Sequence, residues 1–164
     1  MNETYFSSDT LDLIRLFSAH NVKYVIVGGE VVIFYGYSRL TGVIDFFYEI
    51  SESNSINIYN AMSEFRGGDI PGISSAEEFR TSGSIIQFGQ PPDRIDLLNA
   101  IDGITFSEAW ESKVVQKTGS DEKEIQIFYI GLEPLIKNKT ASGRYKDLDD
   151  LRFLNKLSKK NNTL

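Results

Sequence analysis

Two glycines at the end of an apolar run, followed by one carboxylate inside a hydrophobic strand, restrict this chain more than any other feature. Residues 28–50 read GGEVVIFYGYSRLTGVIDFFYEI. Before them, Lys23-Tyr24-Val25-Ile26-Val27 is β-rich and apolar, and Gly28-Gly29 allows a tight turn at its end. Val31, Val32, Phe34 and Tyr35 then predict a short apolar helix closed by Gly36. From Thr41-Gly42 a second strand begins. Its two-residue period puts Val43, Asp45, Phe47 and Glu49 on one face and Ile44, Phe46, Tyr48 and Ile50 on the other. Asp45 therefore sits on a largely hydrophobic strand with few polar neighbours.

A second isolated acid stands in Arg94-Ile95-Asp96-Leu97-Leu98, predicted as a strand after the turn Gln90-Pro91-Pro92-Asp93. A charge in an apolar strand is costly unless it is paired or metal-bound, so Asp45 and Asp96 together point to a shared site. The alternative is that Asp96 makes a structural bridge to Arg94 or Arg39.

The remaining pattern alternates helix and strand. Ser7-Ser8-Asp9 offers a cap for a helix to about His20, with Leu11, Ile14 and Phe17 on one face. His20, the only histidine, is favoured electrostatically at that C-terminus, which accounts for it without a chemical role. Ser53 to about Phe65 reads as a helix behind the sheet. Residues 66–72 form a turn-rich loop, and Ser74–Phe79 could start a short capped helix; this connection either borders a cleft or is ornamental. Ser84–Phe88 is a weak strand. Thr105 and Glu108 form a capping box for a short helix carrying Trp110, a core residue by preference. Lys113–Gln116 and Ile125–Ile130 make a hairpin-like pair around a turn at 118–121. The whole predicts an α/β (α+β) chain, a mixed twisted sheet flanked by helices, in one domain over 1–164 with a helical segment from about 131.

Composition limits the function classes. A 164-residue chain with 41% hydrophobic content can bury a real core. Zero cysteines exclude disulfides, thiolate zinc sites and cysteine nucleophiles. No apolar run approaches the roughly 20 residues needed to span a bilayer, and MNETYFSSD lacks a signal pattern, so a cytoplasmic protein with no membrane partner is expected. The net charge of −6 is uneven: residues 1–112 hold 6 Lys/Arg against 16 Asp/Glu, and residues 113–164 hold 11 against 7. That argues against chain-wide attraction to nucleic acid and for a local anion site in the C-terminal third.

There, residues 132–151 read LEPLIKNKTASGRYKDLDDL, with Pro134 suited to a first helical turn. Lys139, Arg144 and Lys146 lie close together, and Ala141-Ser142-Gly143 leave room around them. Such cations can grip a triphosphate, Arg as a fork and Lys as a point charge. Lys139 is read first as a phosphate ligand. Arg144 and Lys146 suit that role or pairing with Asp147, Asp149 and Asp150 equally well.

Val27-Gly28-Gly29, Tyr35-Gly36-Tyr37, the run Arg39-Leu40-Thr41-Gly42-Val43-Ile44-Asp45 and the basic C-terminal motif together resemble the DNA polymerase β-like nucleotidyltransferase superfamily. The chain looks most like its small bacterial members related to abortive-infection and minimal-nucleotidyltransferase toxins. The resemblance implies a nucleotidyltransferase fold and a cytoplasmic protein of a toxin–antitoxin or phage-defence system. It implies transfer of a nucleotide from an NTP to a hydroxyl of RNA, tRNA included, or of a protein, and a cognate antitoxin as a further partner. It assigns Asp45 and Asp96 as catalytic, metal-binding residues for Mg²⁺, with Mn²⁺ as the substitute, and Gly28, Gly29, Lys139, Arg144 and Lys146 as nucleotide-binding. Mg²⁺ suits carboxylates combined with phosphate oxygens and water.

One position departs from that pattern. The family places its first metal-binding aspartate at position 43, where this chain has Val. Glu30 and Glu49 are the nearby carboxylates that could compensate in part, although neither stands where the family puts its ligand. The expectation is an impaired enzyme or, alternatively, a non-catalytic nucleotide-binding or partner-binding module on the same fold.

Overall fold

The computed structural model describes residues 6–119 and 124–163. The first helix, α1 (Ser8–Ala19), is capped by Ser7, whose hydroxyl accepts from the Thr10 N–H at 3.3 Å. β1 (Tyr24–Val27) follows, then α2 (Gly29–Phe34), β2 (Val43–Tyr48) and α3 (Glu52–Phe65). After a 3-10 turn at Ala76–Arg80 come β3 (Ile85–Phe88), β4 (Arg94–Leu98) and α4 (Phe106–Glu111). β5 (Val114–Thr118), β6 (Ile125–Tyr129), α5 (Leu132–Ser142) and α6 (Tyr145–Asn162) complete the order. The turn expected at 118–121 lies partly outside the described residues. Helix α3 begins slightly earlier than its sequence suggests because Ser51, not Ser53, caps it, accepting from the Asn54 N–H at 3.0 Å.

The strands form one mixed sheet in the order β3-β4-β2-β1-β6-β5. Every residue of β1 is buried, as continuous apolar runs of central strands are. β2 is antiparallel to β1 and parallel to β4, and the latter register pairs Val43 with Arg94 and Asp45 with Asp96. On one face of β2, Phe46 meets Tyr24 and Phe17 edge-on at 5.3 Å, and those two rings meet each other at a tilt at 5.4 Å, which seats α1. Phe47, on the opposite face with Asp45, packs edge-on against Phe106 of α4 at 5.3 Å. The alternation read from the sequence thus separates a face buried under helices from a face that carries the acid.

The connection from α3 to β3 is anchored at the far ends of β2 and β4. The Tyr48 hydroxyl donates to the Phe79 carbonyl at 2.9 Å, and the buried Asn99 amide donates to the Thr81 carbonyl at 2.9 Å while accepting from Gly83 N–H at 2.8 Å. Nothing from residues 66–84 reaches the cavity described below. His20 closes α1 and pairs with Glu64 at 2.7 Å, a structural use of the only histidine. Trp110 packs against Phe106 and Phe128 as part of the core's margin. Among the described residues no helix is long and apolar enough to cross a membrane.

Candidate functional site

The seven residues singled out for catalysis and nucleotide binding, Gly28, Gly29, Asp45, Asp96, Lys139, Arg144 and Lys146, line a single cavity of about 500 Å³. Its size is that of a small-molecule pocket. Asp45 and Asp96 are register partners on adjacent parallel strands, so their backbones lie about 4.8 Å apart and their side chains leave the sheet on the same face.

The two acids differ in their surroundings. Asp96, 5% exposed, is fully engaged: Arg94 Nε donates to Oδ1 at 3.0 Å, Arg94 Nη2 to Oδ2 at 3.1 Å and Gln87 Nε2 to Oδ2 at 3.3 Å. This is the Arg94 bridge that sequence left as an alternative. Asp45 receives no hydrogen bond or ion pair among the described residues. Burial, and secondly the charge of Asp96, pushes its carboxyl up from 3.8 to about 6, against the pull of Lys146, Arg94 and Arg144. An acid held in this way favours a bound cation, which would supply the counter-charge that the protein withholds.

The glycines explain themselves here. Gly28 has φ +75°, and a Cβ on it would run into the Asp45 carboxylate. At Gly29 a Cβ would lie 2.6 Å from Arg39 Nη2 and 3.2 Å from Thr41 Oγ1. The turn therefore lets the backbone close onto one acid and one guanidinium at once, which a side chain at either position would prevent.

The same cavity is lined by basic residues from α5, from α6 and its N-cap, and from the segment before β2. Lys139 is 4% exposed at the cavity's floor, with its ammonium 3.1 Å from Asp147 Oδ1 and 2.9 Å from Asp150 Oδ2. Arg39 Nε lies 3.3 Å from Asp150 Oδ1, and Arg144 Nε lies 2.9 Å from Asp147 Oδ2. The Asp150 contacts are close ion pairs angled away from hydrogen-bond alignment. Burial alone would raise the Asp147 carboxyl, but hydrogen bonds from Arg144 and Lys139 overcome it and hold the group down to about 2. Lys139 thus reaches the cavity already matched to two acids. Arg144, 61% exposed, also binds Asp147, whereas the exposed Lys146 has no acid within ion-pair distance among the described residues. Asp149, offered by sequence as a partner for these cations, accepts from the Tyr37 hydroxyl instead.

Glu30 and Glu49 separate sharply. Glu30, in the first turn of α2, is raised by burial and by Asp45 and lowered by Arg39, which places it within the same electrostatic neighbourhood. Glu49 lies beyond the other end of β2, about 13 Å along the strand from Asp45, and pairs with Lys23 at 2.9 Å. It is out of reach as a ligand.

Arg39, Arg94 and Gln87 were not selected from sequence as site residues. A usable signal existed for Arg94, two positions before Asp96 and hence on the same strand face. Gln87 becomes a neighbour only through the antiparallel pairing of β3 with β4.

Chemically, two adjacent carboxylates offer oxygen ligands of the kind that Mg²⁺ accepts together with phosphate oxygens and water. The donor set fits such an ion with Asp45 as its open ligand. Among the described residues no group of three or more His, Cys, Asp or Glu side chains gathers to hold a metal. Val43 lines the cavity beside Asp45 and carries no donor. Five cations, Arg39, Arg94, Lys139, Arg144 and Lys146, and three acids, Asp45, Asp96 and Asp102, line the cavity; Asp147, Asp150 and Asp96 pair four of the cations, and Lys146 is the one without an ion-pair partner among the described residues. A scan against protein-family models gives no match, and neither does a comparison with curated proteins.

Proposed function

We propose that this cavity binds a nucleoside triphosphate with a divalent cation, on a nucleotidyltransferase fold, and that Val43 leaves the chain poor at the transfer itself. The observation that carries the reading is the in-register pair of Asp45 and Asp96 sharing one cavity of about 500 Å³ with Gly28, Gly29, Lys139, Arg144 and Lys146. The motif resemblance supports the same reading, including an RNA or protein hydroxyl as acceptor and a toxin–antitoxin or defence setting with a cognate antitoxin.

Asp45, with Asp96 beside it in register, would hold Mg²⁺ or Mn²⁺, and the charge of that ion would stabilise the attacking and leaving oxygens of nucleotidyl transfer. Arg144 and Lys146, exposed at the cavity's edge, would draw in the triphosphate, with Lys146 keeping its charge uncommitted. Lys139 and Arg39 give positive potential from the floor while anchored to Asp147 and Asp150. Val43 withholds a carboxylate beside Asp45, and a loss of even about 4 kcal/mol of transition-state stabilisation slows turnover roughly a thousandfold.

The experiment is a comparison of this chain with Val43→Asp. Calorimetric titration of each NTP, with and without Mg²⁺, should show metal-dependent binding to both. Labelled-NTP transfer to cell-extract RNA or protein should be faster with Val43→Asp. NTP binding without transfer by either protein would favour the non-catalytic module, and no NTP binding by either would refute the reading.

A further inference from the structure

Arg94 does more than pair with an acid two positions along its own strand. Its fork covers both oxygens of Asp96 at 3.0 and 3.1 Å, and Gln87 adds a third donor at 3.3 Å. Because Asp96 is only 5% exposed, water competes little for those oxygens, and separating the pair would leave a buried carboxylate to be satisfied anew. In the parallel register the residue beside Arg94 is Val43. The acid missing at 43 is therefore missing next to the one guanidinium that already neutralises the acid at 96.

A site for two divalent ions needs enough carboxylate charge to hold them close together. Here the sheet offers two carboxylates. One is engaged by a protein cation, and the other, Asp45, has no hydrogen-bonding or ion-pairing partner among the described residues. Resting on the nucleotide-binding reading above, we infer that the cavity takes one divalent cation, on the Asp45 side, and that the Arg94 guanidinium permanently occupies the place of a second on Asp96. Arg94 is a positioning residue. It fixes Asp96 and supplies a single positive charge with no coordination requirement, so the site trades a metal's Lewis acidity for a built-in counter-ion. Asp45 then organises the ion that accompanies the nucleotide, while Asp96 contributes field more than ligand.

The test counts ions and does not depend on turnover. Mn²⁺ binding to the full chain would be followed by the electron paramagnetic resonance signal of free Mn²⁺, with a non-hydrolysable ATP analogue present and the Mn²⁺ taken up by the analogue in protein-free solution measured alongside and subtracted. The expected result is about one Mn²⁺ per chain for the parent and for Arg94→Lys, and about two for Arg94→Gln, the second returning to about one in Arg94→Gln/Asp96→Asn. Should Arg94→Gln fail to fold, Arg94→Ser takes its place: it also removes the guanidinium while keeping Asp96, and must likewise bind about two ions while the double variant binds about one. Two ions on the parent, or an unchanged count in a folded Arg94→Gln, would overturn the inference while leaving the nucleotide site standing. Absence of both Mn²⁺ and analogue binding in every protein would overturn it together with the nucleotide reading.

Discussion

Replacing Asp45 with Asn should make the protein more stable and less able to bind its ligands. The carboxyl is held at about 6 against 3.8 when free, first by burial and then by Asp96. A raised acid favours the folded state only while protonated, so its ionisation works against folding. The penalty is fully present above about pH 6, shrinks as pH falls, and vanishes below 3.8. Each tenfold change in proton affinity is worth about 1.4 kcal/mol, so the cost at neutral pH is about 3 kcal/mol. Asn keeps the shape and removes the charge. For a chain of this size that corresponds to a rise in Tm of about 6–12 °C. Thermal unfolding in a metal-chelating buffer from about pH 5 to about pH 8 is the assay, with roughly half of the gap surviving at the acid end. Adding Mg²⁺ and NTP should then raise the Tm of the parent and leave Asp45→Asn unmoved, since only a protein that binds gains stability from the ligand. An Asn variant no more stable than the parent near pH 8, or a gap that does not narrow toward pH 5, would refute the reasoning.

Three further outcomes follow from the same geometry. Lys139→Met strands Asp147 and Asp150 without their buried partner and should cost about 3–5 kcal/mol by denaturant unfolding; a change below about 1 kcal/mol would mean the two acids find other partners. Gly28→Ala forces a Cβ toward the Asp45 carboxylate from a left-handed backbone, so it should cost about 1–3 kcal/mol and abolish Mn²⁺ binding. Tyr37→Phe keeps the stacking on Phe153 at 5.0 Å and removes only the hydroxyl donated to Asp149, an exposed contact whose loss should leave the Tm and NTP affinity essentially unchanged.

The acid pair was legible in the sequence because an isolated carboxylate in an alternating apolar strand has few reasons to be there, and Asp45 and Asp96 each stood out in that way. The turn was legible because Gly28-Gly29 follows a β-rich run. Parallel pairing of β2 with β4 was not, since register between strands so far apart in the chain is fixed by the packing of everything between them. That register decides that Arg94 lies beside Val43. For Lys139 the sequence showed a cation among small residues, but its burial against Asp147 and Asp150 depends on how α6 folds back on α5, which local spacing does not specify. Glu49 illustrates the opposite error: sharing a strand face with Asp45 placed it in line but said nothing of distance, and its partner is Lys23.

The acids and cations of the cavity are made at different times. Gly28, Asp45 and Asp96 belong to elements that leave the ribosome early, while Lys139, Arg144 and Lys146 come later and the two aspartates that anchor Lys139 lie on α6, synthesised after every other element described here. A growing chain therefore carries Asp45 and the Arg94–Asp96 pair without the anchored Lys139 until α6 emerges. Arg39, waiting beside Gly29 since early in synthesis, gains its buried counter-ion Asp150 only at that moment. The cavity's lining is thus complete only once the helix that anchors Lys139 has been made.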